Sequence, residues 1–318
     1  MEQPLVSVII PSYNHAVYLN ERIDSVLAQD YPNFEVIILD DCSTDNSREI
    51  IAQYEGKEHV REIIFNEQNT GNTFLQWEKG VGKAKGKYIW IAESDDVAEP
   101  AFLSTLVGEL EKQPDSVLAY SYSKMIDWAG YVIYEDTSLV GTSQQVKVYD
   151  GSYYLHHYML TDNCIYNASM VVFRKDIFSK VNQKFKEYRW CGDWFFWACA
   201  CKQGKVIEVR IPLSCFRQHM NKVTTRGAAM GQSWINMSSM LEDLYQEAQL
   251  GWIDLCCQRV VWARKIRFLE EAPLLKKQFP HIYRQSFIDY IIYKYAKKTG
   301  RVKRTTRSVL GLFCVPLV

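Results

Sequence analysis

Three carboxylates stand close together directly after a short apolar run in the first third of the chain. Glu93, Asp95 and Asp96 follow the run Tyr88 to Ala92. Carboxylates spaced i, i+2 on a loop can hold a hard divalent cation, and Mg2+ or Mn2+ suits such oxygen ligands. A cation bound there could also coordinate phosphate oxygens of a ligand. Acids followed by Pro100 would equally suit the positive end of a helix. The spacing alone leaves both interpretations open.

Two further carboxylates show the same ambiguity. Asp41 follows the apolar run Phe34 to Leu39, where it can accept a hydrogen bond from the N–H of uracil or a similar base, or act as a turn residue before a helix. Asp193 opens an aromatic stretch that ends at Trp197. Aromatic surroundings that exclude water would raise its pKa into the range of a general base, whereas the simpler alternative is a helix N-cap.

A cation and an imidazole stand two residues apart at Arg217 and His219. Such a pair suits the diphosphate of a leaving group, or the imidazole can be a further metal ligand. The alternative for His219 is an ordinary surface or core position.

These polar residues follow segments that predict alternating strands and helices. Strands are predicted at Val6 to Ile10, Phe34 to Leu39, Arg61 to Phe65 and Tyr88 to Ala92. Helices are predicted at Ala16 to Ala28, Thr44 to Tyr54 (with Ser43 or Thr44 as cap) and Phe74 to Lys83. Such alternation predicts βαβ units and a mainly parallel sheet. Ligands bind such sheets beyond the carboxyl ends of the strands, where the strand order reverses, so the polar residues should converge.

The pattern changes beyond residue 115. Further strands are predicted at 117–125, 131–134, 169–173 and 205–211, and an aromatic helix at 190–201. From about residue 231 the chain predicts helices alone, at 232–249, 252–270 and 280–298. A basic stretch and an apolar segment, Val309 to Val318, follow them.

Composition narrows the function classes. The 318 residues carry 37 basic and 37 acidic side chains, which gives no general attraction to nucleic acid. Nine cysteines without paired CxxC spacing, and no signal peptide, indicate reduced thiols in the cytosol. We find no apolar run of the roughly 20 residues that a membrane span requires.

Taken together, the motifs resemble family 2 glycosyltransferases. The matching segments are VSVIIPSYN (6–14), VIILDDCSTDNS (36–47), KGKYIWIAESDD (85–96) and Gly192-Asp193, in family order and at family-like separations. The resemblance runs through about residue 220. It implies an α/β GT-A fold, a Rossmann-like and mainly parallel sheet flanked by helices, in a catalytic domain at 1–220, followed by a C-terminal helical region at 221–318.

The resemblance also implies roles for individual residues. Asp95 would be the principal ligand of Mn2+ or Mg2+, His219 would face the metal or diphosphate, and Asp193 would be the catalytic base. The nucleotide-sugar pocket would comprise Pro11, Ser12, Tyr13, Asn14, Asp41, Asn69, Gly71, Glu93, Ser94, Asp96 and Arg217.

Two departures from the family pattern affect these roles. Glu93 stands where the family's DXD motif begins with Asp, so its contact is open. Gln76-Trp77-Glu78-Lys79 replaces an Arg-Asn pair that many relatives carry, so that contact is either missing or supplied by Lys79.

The implied reaction is inverting transfer of a sugar from a nucleotide-diphosphate donor, expected to be a UDP-sugar, to a hydroxyl of a glycan or lipid-linked saccharide. Surface polysaccharide or glycoconjugate synthesis would be its setting. The alternative is a GT-A protein that binds nucleotide sugars without catalysis. A nucleotidyltransferase would need a glycine-rich loop after the first strand, and Pro11 to Asn14 is not one.

The basic stretch and apolar end suggest a second kind of contact. They would suit peripheral binding to an anionic membrane, which fits a lipid-linked acceptor. The alternative is a final amphipathic helix packed on the protein. We therefore expect a cytoplasmic location, at the inner face of the membrane if the C-terminal tail binds lipid.

Overall fold

The computed structural model describes residues 3–135, 145–219 and 232–298. The chain divides into two compact units. The first comprises 1–150, 167–186 and 203–219, and the second comprises 151–166, 187–202 and 220–318. The helical unit thus takes in two segments that precede residue 220, while the domain boundary near that residue stays a prediction.

The first unit is built on one mixed sheet, with ten strands in the described part of the chain. These are β1 Val6–Ser12, β2 Phe34–Asp40, β3 Val60–Phe65, β4 Tyr88–Ile91, β5 Val97–Ala98, β6 Ser116–Ile126, β7 Val132–Tyr134, β8 Val146–Tyr149, β9 Val171–Arg174 and β10 Lys205–Arg217. Their order is β3-β2-β1-β4-β9-β6-β10-β5, with β7 beside β6 and β8 beside β10. The sequence did not predict β5 and β8.

The order reverses at β1. Val6 pairs in parallel with Phe34 of β2 on one side and with Tyr88 of β4 on the other. The chain therefore builds outward from β1 to β3 and then returns to the opposite side of β1. All residues of β1, β2 and β4 are buried, as expected for parallel strands covered on both faces. The three motif-bearing strands consequently end at the same edge.

The described α-helices belong to both units. They are α1 Ala16–Leu27, α2 Ser47–Ala52, α3 Thr73–Lys83, α4 Phe102–Lys112, α5 Gly151–Tyr154, α6 Ile177–Lys180, α7 Gly192–Cys201, α8 Gln232–Glu247, α9 Trp252–Lys265, α10 Ala272–Gln278, α11 Pro280–Tyr283 and α12 Phe287–Lys298. Apolar side chains of α1 and α4 form one core with the sheet, among them Ile23, Val26, Leu106 and Trp90. No helix in the described ranges is long and apolar enough to cross a membrane.

The predicted start of α2 at Thr44, capped by Ser43 or Thr44, is wrong. The Asp45 carboxylate accepts hydrogen bonds from the Ser47 amide and hydroxyl (3.0 and 2.5 Å), so the helix begins at Ser47. Thr44 lies outside it because its amide donates to Asn14 Oδ1 (2.7 Å). A contact between two loops thus determines the helix boundary.

The predicted continuous helix at 280–298 is also wrong. α11 ends at Tyr283, and a new helix starts at Phe287. Ser286 and Asp289 form a reciprocal cap, in which the Ser286 amide donates to Asp289 Oδ2 (2.7 Å) and the Asp289 amide donates to Ser286 Oγ (3.1 Å). This is the capping-box arrangement that starts helices. The basic stretch from 299 on, and the apolar segment 309–318, lie outside the described residues.

Two glycines provide a test of the packing around β1. A Cβ on Gly86 would lie 2.6 Å from the Ser7 amide nitrogen and 2.8 Å from the Leu5 carbonyl oxygen, both backbone atoms that cannot yield cheaply. A Cβ on Gly108, inside α4, would meet no atom within 4 Å. We expect Gly86→Ala to lower the free energy of unfolding by ~1–3 kcal/mol. Gly108→Ala should raise it by up to about 1 kcal/mol, from helix propensity. Urea unfolding of both variants measures the difference, and equal effects would contradict the packing described here.

Candidate active site

The loops after β1 and β2 interlock at the carboxyl edge of the sheet. Asn14 and Cys42 both have left-handed backbone (φ 54° and 63°), a conformation uncommon for residues other than glycine. The Asn14 amide donates to Ser43 Oγ (2.9 Å), and its side-chain oxygen accepts from Thr44. Ser12, at the end of β1, accepts a hydrogen bond from the Asp41 amide through its carbonyl (2.8 Å). The predicted pocket segment Pro11, Ser12, Tyr13 and Asn14 therefore lies against the loop that carries Asp41.

Asp41 is buried and its carboxylate organises the loop after β3. Oδ1 accepts from Asn66 Nδ2 (2.8 Å), Gln76 Nε2 (2.9 Å) and the Thr70 amide (3.0 Å), and Oδ2 accepts from the Thr70 hydroxyl (2.8 Å). Burial of a carboxylate is tolerable when its lone pairs are matched in this way. The interpretation of Asp41 as a simple turn residue does not explain these long-range bonds.

The same loop contains the other predicted pocket residues. Asn69 Nδ2 donates to the Asp41 carbonyl (2.9 Å), and Asn69 Oδ1 accepts from the amide of Gly71 (2.6 Å). Gly71 has φ 66°, which glycine adopts without steric cost. Lys79 donates to Asn66 Oδ1 (2.5 Å). Lys79 thus reaches the predicted pocket through Asn66, and Gln76 donates a hydrogen bond to the Asp41 carboxylate.

The acidic loop after β4 is held by neighbours on both sides. Trp77 Nε1 donates to Glu93 Oε1 (3.0 Å), a reach that the longer Glu side chain provides. Ser94 Oγ hydrogen-bonds His15 Nδ1 (2.8 Å). Buried Asp96 accepts from Asn167 Nδ2 (2.7 Å) and from the Arg217 amide (3.0 Å). The loop runs into β5 rather than directly into a helix, so the helix N-terminus interpretation of these acids fails.

Asp95 and His219 lie together, as the metal interpretation requires. His219 Nε2 is 2.9 Å from Asp95 Oδ2. One ligand atom from each of His15, Asp95 and His219 can be chosen so that all lie within 4.8 Å of one another. Buried His219 Nδ1 has no hydrogen-bond partner in the described ranges. Two imidazoles and a carboxylate form a mixed N/O donor set, which fits Mn2+ better than Mg2+ because Mg2+ prefers oxygen alone.

Buried arginines offset the charge of this loop. Arg217 donates to the Asp95 carbonyl (2.8 Å) and the Asp127 carbonyl (3.1 Å), and forms an ion pair with Glu21 (2.5 Å). The Arg217 guanidinium therefore fixes the backbone of the acidic loop at Asp95. A direct contact of Arg217 with the donor diphosphate stays a prediction.

Arg22 is a second buried cation, which the sequence did not reveal. Its guanidinium carbon lies 4.8 Å from the centre of the Trp90 ring, and none of its three side-chain nitrogens has a hydrogen-bond partner within the described residues. Burial lowers the pKa of Arg22 to about 10, while the charges of Asp96 and Asp95 oppose that shift. It remains protonated at neutral pH and stabilises the acids electrostatically.

Asp193 belongs to the helical unit. It stands in the first turn of α7, whose N-cap is Cys191, so the N-cap interpretation of Asp193 is wrong. Burial raises the pKa of Asp193 to about 7, although hydrogen bonds from the Trp194 and Asp193 amides favour the charged form. A carboxyl group with this pKa can accept a proton near neutrality.

Most of the aromatic side chains around Asp193 serve packing. Trp194 and Trp197 are buried, and Trp194 Nε1 donates to the Met159 carbonyl (2.8 Å). Tyr188 is also buried and donates to Asp243. These rings therefore build the core of the helical unit, and Trp190 remains as the partly exposed member of the group.

Comparison with known proteins identifies the family. The model of glycosyl transferase family 2 matches residues 7–181, more than half of the chain. The chain belongs to glycosyl transferase family 2. This assigns it to the glycosyltransferases and confirms the resemblance seen in the motifs.

Curated relatives and solved structures agree with this assignment. This family 2 chain is 43% identical over 94 residues to a putative teichuronic acid biosynthesis glycosyltransferase of Bacillus subtilis, covering 30% of the chain and 37% of the relative. It is 28% identical over 228 residues to an uncharacterized glycosyltransferase of Haemophilus influenzae, covering 70% and 68%. The match thus spans little more than a third of the Bacillus relative.

Two solved structures share the fold. TarS of S. aureus (residues 1–349, with UDP-GlcNAc) superposes with a TM-score of 0.62 at 16% identity, covering 92% of this chain and 79% of TarS. The mannosyltransferase PcManGT of Pyrobaculum calidifontis, with GDP-Man and Mn2+, superposes with a TM-score of 0.52 at 14% identity, covering 95% and 82%. These likenesses confirm the predicted GT-A fold.

Several residues of the site were missed from the sequence, among them Thr70 on Asp41, His15, Arg22 and Gln76. His15 and Arg22 lie on or beside α1, and Gln76 lies on α3. His15 could have been suspected from the sequence, because it directly follows the PSYN segment. Arg22 and Gln76 are recognised only from their neighbours in the fold, the Trp90 ring and the Asp41 carboxylate.

The cluster predicts Mn2+ binding that depends on three side chains. We expect Asp95→Ala, His219→Ala and His15→Ala each to weaken Mn2+ affinity, by roughly 10–100-fold, because each removes one candidate donor. Isothermal titration of the protein with Mn2+ alone measures this. His156→Ala is the control, since His156 lies outside the cluster and contacts the Ser152 carbonyl. Unchanged Mn2+ affinity in Asp95→Ala would contradict the site.

Proposed function

We propose that this chain transfers a sugar, with inversion, from a UDP-sugar to a hydroxyl of a saccharide or lipid-linked acceptor, assisted by a divalent metal. The observation that carries the proposal is the convergence of Asp41 and the Asp95–His219 pair on the carboxyl edge of one sheet in a family 2 protein. Residues 1–220 would form the catalytic domain, and 221–318 its helical extension.

In this proposal Asp41 recognises the nucleotide base. Its carboxylate already accepts hydrogen bonds from four donor groups: the side chains of Asn66 and Gln76, and the amide and hydroxyl of Thr70. A base N–H would replace the Thr70 hydroxyl, the donor that can rotate away without backbone movement. Asn66 and Gln76 keep the carboxylate oriented, as preorganised binding requires. Pro11 to Asn14, Asn69, Gly71, Glu93, Ser94 and Asp96 would line the rest of the pocket.

The metal would be held by Asp95 and His219, with His15 as a further donor. When bound, it supplies positive charge that offsets the charge developing on the diphosphate leaving group. Arg217 holds the backbone of Asp95 in place, and Arg22 offsets the charge of the loop from within the core.

Asp193 is the proposed base. A partly protonated carboxyl group with a pKa of about 7 can take the proton of an acceptor hydroxyl as that oxygen attacks the anomeric carbon. In-line attack opposite the leaving group converts an α-linked donor into a β-linked product. The base assignment rests on the family motif and on this pKa.

The relatives support the substrate class. TarS was solved with UDP-GlcNAc and PcManGT with GDP-Man and Mn2+, and the Bacillus relative is named for teichuronic acid biosynthesis. A role in polysaccharide or glycoconjugate synthesis, at the cytoplasmic face of the membrane, is consistent with such relatives and forms part of the proposal.

Replacing the base should separate binding from transfer. We expect Asp193→Asn to retain the rise in melting temperature that UDP-sugars with Mn2+ produce, but to lose transfer by about 10²–10⁴-fold. The release of UDP from labelled donor in the presence of a saccharide acceptor measures transfer. Asp115→Asn, a change at an exposed ion pair with Lys205, is the matched control. Equal activity of both variants would remove Asp193 as the base, and a protein that binds UDP-sugar without ever releasing UDP would support the noncatalytic alternative.

The pKa of Asp193 predicts a pH profile. Since the base must be ionised, kcat/KM should fall as the pH drops below about 7. Because the folded pKa lies above the unfolded value, the wild type should also lose stability as the pH rises from about 4 to 7, relative to Asp193→Asn. Activity against pH and thermal unfolding at both pH values measure the two effects. A melting-temperature difference between the proteins that is the same at both pH values would contradict the raised pKa.

A further inference from the structure

We propose that helix α12 is a membrane-docking surface that binds anionic lipid through an apolar face. The face consists of Phe287, Ile288, Ile291 and Tyr295, whose exposed fractions are 77%, 60%, 50% and 70%. The proposal concerns where the protein acts and does not depend on which sugar it transfers.

Helix α12 exposes its apolar side chains to solvent, whereas a surface helix in water usually buries them. Asp289 and Ala296 are buried against the rest of the helical unit, while four large apolar side chains face outward. At 100° per residue, Phe287, Ile291, Tyr295 and Ile288 occupy one arc about 100° wide. A surface helix normally buries such an arc. The exposed arc therefore indicates an apolar partner beyond the described residues.

Polar contacts maintain this orientation. Asp289 forms an ion pair with Arg259 (2.5 Å) and caps the helix together with Ser286. Arg264 of α9 lies over the rings of Tyr290 and Tyr293 (5.6 and 5.0 Å). Rotating α12 to bury its apolar arc would break the Asp289–Arg259 pair and leave Arg259 unpaired. The exposed face is thus a stable feature of the fold.

Charge favours an anionic partner. Residues 290–318 contain seven basic side chains and no Asp or Glu, which leaves 30 basic and 37 acidic side chains in residues 1–289. The seven are Lys294, Lys297, Lys298, Arg301, Lys303, Arg304 and Arg307. The three lysines on α12 are exposed. At 100° per residue, Lys298 falls within the arc and Lys294 lies beside its edge. The chain as a whole is neutral, but its positive charge is therefore concentrated in residues 290–318.

Lipid fits both properties together. An interfacial helix buries an apolar arc among acyl chains while flanking lysines contact anionic headgroups. Nucleic acid would use the lysines but leave Phe287, Ile288 and Ile291 in water. A helix that lies in the interface in this way makes a peripheral contact.

The test compares two exposed phenylalanines in the full-length protein. Phe287 lies in the arc, whereas Phe268, 83% exposed, precedes α10 in the same unit. Flotation is measured with vesicles of phosphatidylcholine alone and of an equal mixture with phosphatidylglycerol. We expect the wild type and Phe268→Ser to float with the anionic vesicles only. The double variant Phe287→Ser, Ile291→Asn should bind roughly tenfold more weakly. Lys294→Gln with Lys298→Gln should also weaken binding, and this deficit should shrink at higher salt because salt screens the attraction between lysines and anionic headgroups.

Several outcomes would overturn the proposal. The first is failure of the wild type to float with anionic vesicles, which would result if residues 309–318 cover the face. The second is a loss of binding in Phe268→Ser equal to that in the Phe287→Ser, Ile291→Asn variant. The third is tighter binding of the protein to duplex DNA than to anionic vesicles. UDP release with a soluble saccharide acceptor should be unchanged in the Phe287→Ser, Ile291→Asn variant. That readout separates failure of this proposal from failure of the proposed reaction.

Discussion

Concentrated negative charge at the edge of the sheet is the constraint on which the rest of the site depends. Glu93, Asp95 and Asp96 share the five-residue loop between β4 and β5, and their mutual repulsion must be offset within the fold. Arg217 does so through the loop backbone, and Arg22 does so from inside the core without a hydrogen-bond partner in the described chain. The fold therefore places two buried cations beside the acidic loop, and their charge offsets part of that repulsion.

Parallel pairing of β2 and β4 with β1 brings the acidic loop together with the other polar loops of the site. Because β2 and β4 pair with β1 on opposite sides, the loops after all three strands end at one edge. The left-handed residues Asn14 and Cys42 then bring the first two loops into contact. Such strain is tolerated where the surrounding hydrogen bonds over-determine the backbone. The same contact excludes Thr44 from α2, so the helix boundary depends on the site.

Strand positions and motif residues were predictable because they depend on local patterns. The apolar runs of β1, β2 and β4, and the carboxylates that follow them, are properties of neighbouring residues. The start of α2 and the break before α12 were not predicted, since Asp45 and Ser286 compete with helical periodicity through specific hydrogen bonds. The partners of Asp41 and Asp95 come from segments 25 to 124 residues away in the chain.

The sequence by itself determined the family, the α/β class and the identity of Asp41, Asp95 and His219 as candidates, because residue types and their order carry that information. The tertiary structure alone decided that His15 joins Asp95 and His219, that Gln76 and Thr70 saturate Asp41, and that Arg22 lies buried beside Trp90. It also decided which face of α12 points outward, since Asp289 is buried and pairs with Arg259 on the opposite side of the helix. Long-range ion pairs and hydrogen bonds depend on three-dimensional proximity, which periodicity along the chain does not encode.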